Sequence, residues 1–309
     1  MRNFFGKSFL LFTVLALVLA ACGGNNEENN ANNNSGNNAA AGEASDAGKT
    51  IKLAYVAWDS EIASTHVVKE VLESKLDMEV EMMQVDAGPM YAGVADGSAH
   101  AMVAAWLPTT HGHYVEQYQD GLEDLGPNLE GTKIGLVVPA YMDITSIEDL
   151  NNADVADSLE STITGIEPGA GIMTGTEKVI EDYSLEGWNL LPSSSAAMAK
   201  ALESAYNNEE PIVVTGWTPH WKFAKFDLKY LEDPKGNYGG AEQINTLVHK
   251  GLKDDMPQAY QVLDQFNWTP ADMEAVMVDI YEGKSPEEAA AKWVADNEDK
   301  VNEWLKGIE

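Results

Sequence analysis

"AAWLPTTH", Ala104 to His111, carries an apolar stretch onto a tryptophan, turns through Leu-Pro and reaches a histidine. "TGWTPHW", Thr215 to Trp221, repeats the plan: an apolar run, Trp, any residue, Pro, then His within three positions of the proline. The two tryptophans, Trp106 and Trp217, stand 111 positions apart. A third strand-like stretch, "AYVAWDS" from Ala54 to Ser60, also ends on a tryptophan, Trp58, before an acidic turn. The echo predicts two similar lobes, each offering an aromatic side chain at a strand end. In open α/β sheets ligands bind beyond the carboxyl ends of the strands. Two lobes facing across a cleft would therefore bring these corners together.

The surrounding chain fits that reading. "TIKLAYVA" (50–57) has period-two spacing, and "EIASTHVVKEVLESKL" (61–76) has helical spacing. "MEVEMMQV" (78–85), "AHAMVAAW" (99–106) and "TKIGLVVP" (132–139) read as further strands, with a short helix at "GPMYAGVADG" (88–97). Ser146 caps a helix at "SIEDLNN". Later, "STITGIEP" precedes "GAGIMTGTEKVIEDY", and "SSAAMAKALESAYNN" precedes "EPIVVTGW". The tail is helical: Thr269-Pro270 and Ser285-Pro286-Glu287-Glu288 each place a capping hydroxyl before a helix-compatible proline, the second as a capping box. Alternation of this kind predicts an α/β architecture with mostly parallel strands.

The first residues point to export. Arg2 and Lys7 precede an apolar run from Phe9 to Ala21, too short for a membrane span, and Leu19-Ala20-Ala21-Cys22 follows the pattern of a bacterial lipobox. Cys22 is the sole cysteine, so no internal disulfide can form, and it stands where such a motif needs the residue that is lipidated. A signal peptide over 1–21 and a lipid anchor at Cys22 are expected, holding a soluble domain at an extracytoplasmic membrane face. Residues 23–48 contain no aromatic and no large aliphatic side chain, so a disordered tether is expected over 22–49. The folded part is expected to divide into a first half, 50–150, with Trp58 and Trp106, and a second half, 151–309, with Gly171, Trp217 and the C-terminal helices.

Composition and motifs exclude several functions. The chain has 50 acidic and 19 basic residues, a formal net charge of −31, which repels nucleic acid. Ser193, Ser194 and Ser195 lack the G-x-S-x-G elbow of a nucleophilic hydrolase. "HGHY" offers two histidines and no evident third ligand, so no metal and no cofactor is expected. "GIEPGAGIMTG" (165–175) matches neither the dinucleotide fingerprint nor the phosphate loop. Its glycines sit between a strand and a helix, where backbone N–H groups can turn toward an anion.

Several tryptophans at strand ends suit a cation, above all a quaternary ammonium group that cannot donate hydrogen bonds. Apolar ligands and sugars also use tryptophan, but the first need no indole and the second need many polar side chains around the ring. A cation cage together with an amide nest points to a small zwitterion. Of the remaining tryptophans, Trp188, Trp268, Trp293 and Trp304 read as structural, and Trp221 as structural or cleft-lining. His113 and His220 read as surface or supporting polar groups, and Asp59 and Glu61 as helix-start residues.

"AYVAWDSEIAST", "AGPMYAG", "AAWLPTTH", "GLVVPAYM", "GIEPGAGIM", "SSSAAMAKAL", "TGWTPHW" and "YLEDPK" resemble the extracellular glycine betaine-binding proteins of ABC importers, from about Ile51 to Glu309. The resemblance implies a two-lobed, flytrap-like periplasmic-binding-protein fold with the ligand cleft between lobes. It implies no enzymatic activity, a glycine betaine-like compatible solute as ligand, and an ABC permease as partner. It assigns the aromatic prism to Trp58, Trp106 and Trp217, and the carboxylate contacts to His111 and the N–H groups of Gly171 and Ile172. The order of halves is circularly permuted relative to several soluble members, which requires the C-terminal helix and the strand at Ile51 to lie close together. A choline-type binder of the same fold and, further off, a glycan-binding or hydrolytic lipoprotein are the alternatives.

Overall fold

The computed structural model describes residues 45–308. The expected signal peptide, the lipidation site at Cys22 and most of the tether lie outside these residues. Strand β1 (Thr50–Tyr55) leads into helix α1 (Asp59–Leu76), β2 (Glu79–Gln84) and α2 (Ala87–Asp96). Strand β3 (Ala101–Leu107), helix α3 (Gly112–Tyr118) and the long strand β4 (Leu122–Pro139) follow. Then come α4 (Ala153–Ser158), β5 (Thr162–Thr164), α5 (Gly171–Asp182), β6 (Asn189–Leu191) and α6 (Ser195–Asn207). Strand β7 (Val214–Thr218), α7 (Trp221–Lys225), β8 (Leu228–Tyr230) and β9 (Glu242–His249) complete the strands. Helices α8 (Leu252–Asp255), α9 (Pro257–Gln265), α10 (Pro270–Tyr281), α11 (Pro286–Asp296) and α12 (Glu298–Trp304) form the tail.

The strands run in the order β2-β1-β3-β9-β4-β7-β5-β6, with β8 beside β4. Two parallel sets flank the centre: β1 pairs with β2 and β3, and β5 with β6 and β7. The antiparallel strands β9 and β4 join them. Strand β4 passes from one lobe to the other. Its first part, through Thr132, pairs with β9, and from Lys133 onward it pairs with β7. Gly126 and Gly131 have φ of +95° and +81°, and the ladder with β9 shifts register between Asp124 and Thr132. These irregularities bend the strand as it crosses.

This topology corrects the expected halves. Strand β9 inserts between β3 and β4, and α10 and α11 pack against α1, so the C-terminal helices belong to the lobe of Trp58 and Trp106. Long-range strand insertion decides the boundary, and it leaves no local mark at residue 150. Trp293 and Trp304 stack at 5.7 Å, while Trp268 and Phe266 meet them edge-on and pack tilted against each other, an aromatic core for that tail.

The expected tether also ends earlier than residue 49. Asp46 is fully buried, and its carboxylate accepts from the Gln258 and Ala259 amides at 2.8 and 2.9 Å and from Lys49 Nζ at 2.8 Å. It thus fills the N-terminus of α9, where unpaired amides and the helix dipole favour an anion. Ser45 and Ile308 line one surface groove, so the two ends of the described body lie together. No helix among the described residues is long and apolar enough to cross a membrane.

Candidate ligand-binding site

Trp58, Trp106, Trp217, His111, Gly171 and Ile172 all line one cavity of about 280 Å3. Trp58 follows β1, Trp106 stands near the end of β3 and Trp217 lies in β7, opposite Ile134 of β4. Both repeated corners continue through cis X–Pro bonds, Leu107–Pro108 and Thr218–Pro219. The cavity therefore takes walls from both lobes.

The three indoles are 5, 3 and 4% exposed, so their N–H groups need partners inside the protein. The first turn of α1 supplies two of them. Trp106 Nε1 donates to Glu61 Oε1 at 2.7 Å, and Trp217 Nε1 donates across the cleft to Ser60 Oγ at 3.2 Å. Trp58 Nε1 donates in the other direction, to the Glu167 carboxylate. Asp59 closes the arrangement by accepting from Trp221 Nε1 at 2.7 Å and Ser195 Oγ at 2.8 Å. Asp59 and Glu61 do begin α1, as expected. The same turn does something the sequence reading missed: Glu61 and Ser60 hold Trp106 and Trp217 by their edges, leaving the ring faces for the cavity, while Asp59 holds Trp221 outside it. An acceptor on the N–H enriches the ring in electrons, which strengthens its attraction for a cation.

Burial is the largest single influence on the ionisation of each of these groups. It pushes Glu61 up to about 7, against the bonds from Ser60 and Trp106. Burial also works on Asp59, but the contacts from His220, Trp221 and Ser195 outweigh it and hold the carboxyl below the usual range. Burial raises Glu167.

His111 is fully buried and stacks on Trp58, with centroids 5.6 Å apart. Burial drives its pKa down to about 3, so the ring is neutral near pH 7. Its Nδ1 accepts from the Trp106 amide at 3.2 Å, which leaves Nε2 to carry the proton. Glu242, at the start of β9, fixes this corner by accepting from the Thr109 and Thr110 amides at 2.6 and 2.8 Å and from the Thr110 hydroxyl.

Across the cleft, α5 starts at Gly171 with Ala170 as a cap that provides no side-chain bond. Among the described residues the Gly171 and Ile172 amides donate to no acceptor. They are the free donors of a helix N-terminus, at its positive end, and they open into the cavity. A Cβ on Gly171 would stand 2.4 Å from the Thr110 carbonyl oxygen, so glycine is what lets the two lobes approach here. Tyr114 adds a further bridge, donating to Gly169 O at 2.9 Å. The lobes are closed upon one another.

The other aromatic and histidine residues fall outside the cavity. Trp221 is buried against Tyr281, with centroids 4.1 Å apart, and does not line it. His113 is exposed. His220, expected as a surface or supporting polar group, is fully buried: its Nδ1 accepts from the Lys222 amide at 3.2 Å, and its Nε2 lies 3.5 Å from Asp59 Oδ2. An apolar cavity walled by indole faces, with two free amides and a neutral imidazole on its border, suits a small molecule bearing separated charges.

Comparisons with known proteins agree with this architecture. The family model described as "Substrate binding domain of ABC-type glycine betaine transport system" matches residues 49–296. The glycine betaine/carnitine transport binding protein GbuC of Listeria monocytogenes is 55% identical over 158 residues, which make up 50% of this chain and 53% of that protein. The chain thus spans about half the length of that curated relative. The crystal structure of lactococcal OpuAC, closed and complexed with glycine betaine, shares 50% identity at a TM-score of 0.79, covering 84% of this chain and 100% of that one. An ABC-transporter choline-binding protein in complex with choline shares 28% identity at a TM-score of 0.77, covering 84% and 92%. The fold is that of the two-lobed periplasmic binding proteins, and the chain belongs to the family of substrate-binding domains of ABC-type glycine betaine transport systems.

Proposed function

We propose that this protein captures glycine betaine, or a related zwitterion with a quaternary ammonium group and a carboxylate, and delivers it to an ABC permease for uptake as a compatible solute. The observation that carries the reading is the shared cavity of three edge-anchored indoles and the two free amides of α5. Trp58, Trp106 and Trp217 surround the trimethylammonium group. The Gly171 and Ile172 amides and His111 Nε2 hold the carboxylate. Similarity to lactococcal OpuAC, which was solved with glycine betaine, supports the same ligand class.

A choline-type binder is the second reading, favoured by the likeness to the choline-bound structure. It accounts for the indoles and leaves the two amides and His111 without an anion. The protein works at the extracytoplasmic face of the cell membrane, held there by a lipid on Cys22. The support for this anchor is the lone cysteine at the end of a lipobox-like segment.

Tryptophan fluorescence tests the proposal, because the cavity is built of indoles. Glycine betaine is expected to shift the emission with a micromolar midpoint, about −8 kcal/mol, while maltose leaves it unchanged. A response to maltose and none to glycine betaine would overturn the assignment.

A further inference from the structure

Lys222 is fully buried, and its Nζ has no hydrogen-bond partner. A lysine in that position is rare, because an ammonium group out of water normally needs a carboxylate. The side chain comes from the first turn of α7, passes Gly216 and ends with Nζ 4.3 Å from the centroid of the Trp217 ring. Lys222 does not line the cavity, whereas Trp217 does. Its amine therefore covers the face of Trp217 turned away from the cavity.

We propose that Lys222 sets the affinity of the aromatic cage: as a neutral amine it leaves Trp217 free to attract a cation, and as an ammonium ion it occupies and depletes that ring. The inference rests on the reading of the cavity as a cation site. An indole polarised by a cation on one face has less negative charge to offer on the other. The two cations would also repel across a single ring in a site that excludes water.

The groups around Lys222 place its change of charge near neutrality. Burial pushes its pKa down to about 7, opposed by the Asp59 carboxylate on α1. His220, beside it, is itself driven down to about 4 by burial and then by Lys222. Strands β7 and β4 present Gly216, Trp217 and Val137 there, none of them charged. On α10, Asp279 pairs with Lys284 and Lys292, and Glu282 just past its end pairs with Lys225. Glu61, behind Trp106, is the other group near the cage pushed to about 7. His111 is driven too low to titrate in this range, and the ligand carboxylate stays ionised throughout it.

The test is calorimetry with glycine betaine at pH 6, 7 and 8. If only the neutral form of Lys222 binds well, about one molecule in eleven is competent at pH 6, so wild-type affinity should fall by up to about tenfold from pH 8 to pH 6. Lys222→Met keeps the length and removes the charge. It is expected to bind at pH 6 nearly as tightly as the wild type does at pH 8, and Glu61→Gln is expected to retain most of the slope. A folded Lys222→Met that keeps the full slope, or a slope lost only in Glu61→Gln, overturns the role of Lys222. Proton release is measured on the wild type by repeating the titration at pH 6.5 in buffers of different ionisation enthalpy. It answers the question even if Lys222→Met does not fold. Release of more than about half a proton per ligand, persisting in Glu61→Gln, is expected, and no release overturns the proposal. Absence of binding at every pH would instead overturn the cage reading itself.

Discussion

Gly171→Val is expected to weaken glycine betaine binding by more than about a hundredfold while the protein stays folded. A Cβ at this position meets the Thr110 carbonyl oxygen at 2.4 Å, Thr110 Cγ2 at 2.6 Å and His111 Cδ2 at 3.0 Å. Those atoms belong to the opposite lobe, and they cannot step aside, because Glu242 binds both amides and the hydroxyl of the Thr109–Thr110 turn. The backbone at Gly171 is not left-handed, so valine does not strain α5 itself. The cost falls on closure: the lobes stay apart, and the Gly171 and Ile172 amides stay out of reach of a ligand held by the other lobe. A hundredfold loss is about 2.7 kcal/mol, the scale of one or two charge-assisted hydrogen bonds. Calorimetry together with circular dichroism checks it. Wild-type affinity in a folded Gly171→Val would mean that the lobes do not need to meet at this point.

Trp217→Ala is expected to cost at least about thirtyfold, about 2 kcal/mol, the loss of one desolvated cation–π face. Two further effects act in the same direction. The Ser60 hydroxyl loses the indole N–H that it accepts at 3.2 Å, and that bond is one of those spanning the cleft. The Lys222 side chain, whose Nζ now stands 4.3 Å from the ring centroid, would face the cavity directly and in its ammonium form repel a cation. Trp217→Phe keeps a π face and should lose only severalfold. Titration of tryptophan fluorescence, with the remaining indoles as reporters, measures both variants. Equal affinity in wild type and Trp217→Ala would remove Trp217 from the cage.

The parts legible in the sequence are those written locally. Strand-end tryptophans, two of them followed by X-Pro, and a glycine turn between a strand and a helix mark positions that local geometry makes unusual. Trp58, Trp106, Trp217, Gly171 and Ile172 share one cavity because each stands at such a place. What stayed hidden depends on distant partners. The stretch around Gly126, Pro127 and Gly131 looks like punctuation, yet β4 absorbs it as bulges while pairing with β9 more than a hundred positions away. Strand β9 carries no period that separates it from a loop, and its insertion beside β3 is what moves the C-terminal helices to the first lobe. Asp59, Ser60 and Glu61 read as a helix start. Only the fold reveals that Trp106, Trp217 and Trp221 converge on that turn. Asp46, in a segment that composition reads as a tether, is buried because the first amides of α9 stand above it.

The division of labour inside the cavity is the central claim: indole faces take the cation, and the α5 amides with His111 take the carboxylate. Choline separates the two, since it keeps the trimethylammonium group and carries a neutral hydroxyl in place of the carboxylate. A cage alone accepts both ligands nearly equally. A site with buried donors awaiting an anion rejects choline, because one hydroxyl cannot satisfy them. Calorimetric titration of the wild type and His111→Ala with both ligands is the direct measurement. The account predicts micromolar binding of glycine betaine and choline weaker by at least about a hundredfold. It also predicts a narrower gap in His111→Ala, mainly through loss of glycine betaine affinity. Equal affinities for choline and glycine betaine in the wild type would contradict it.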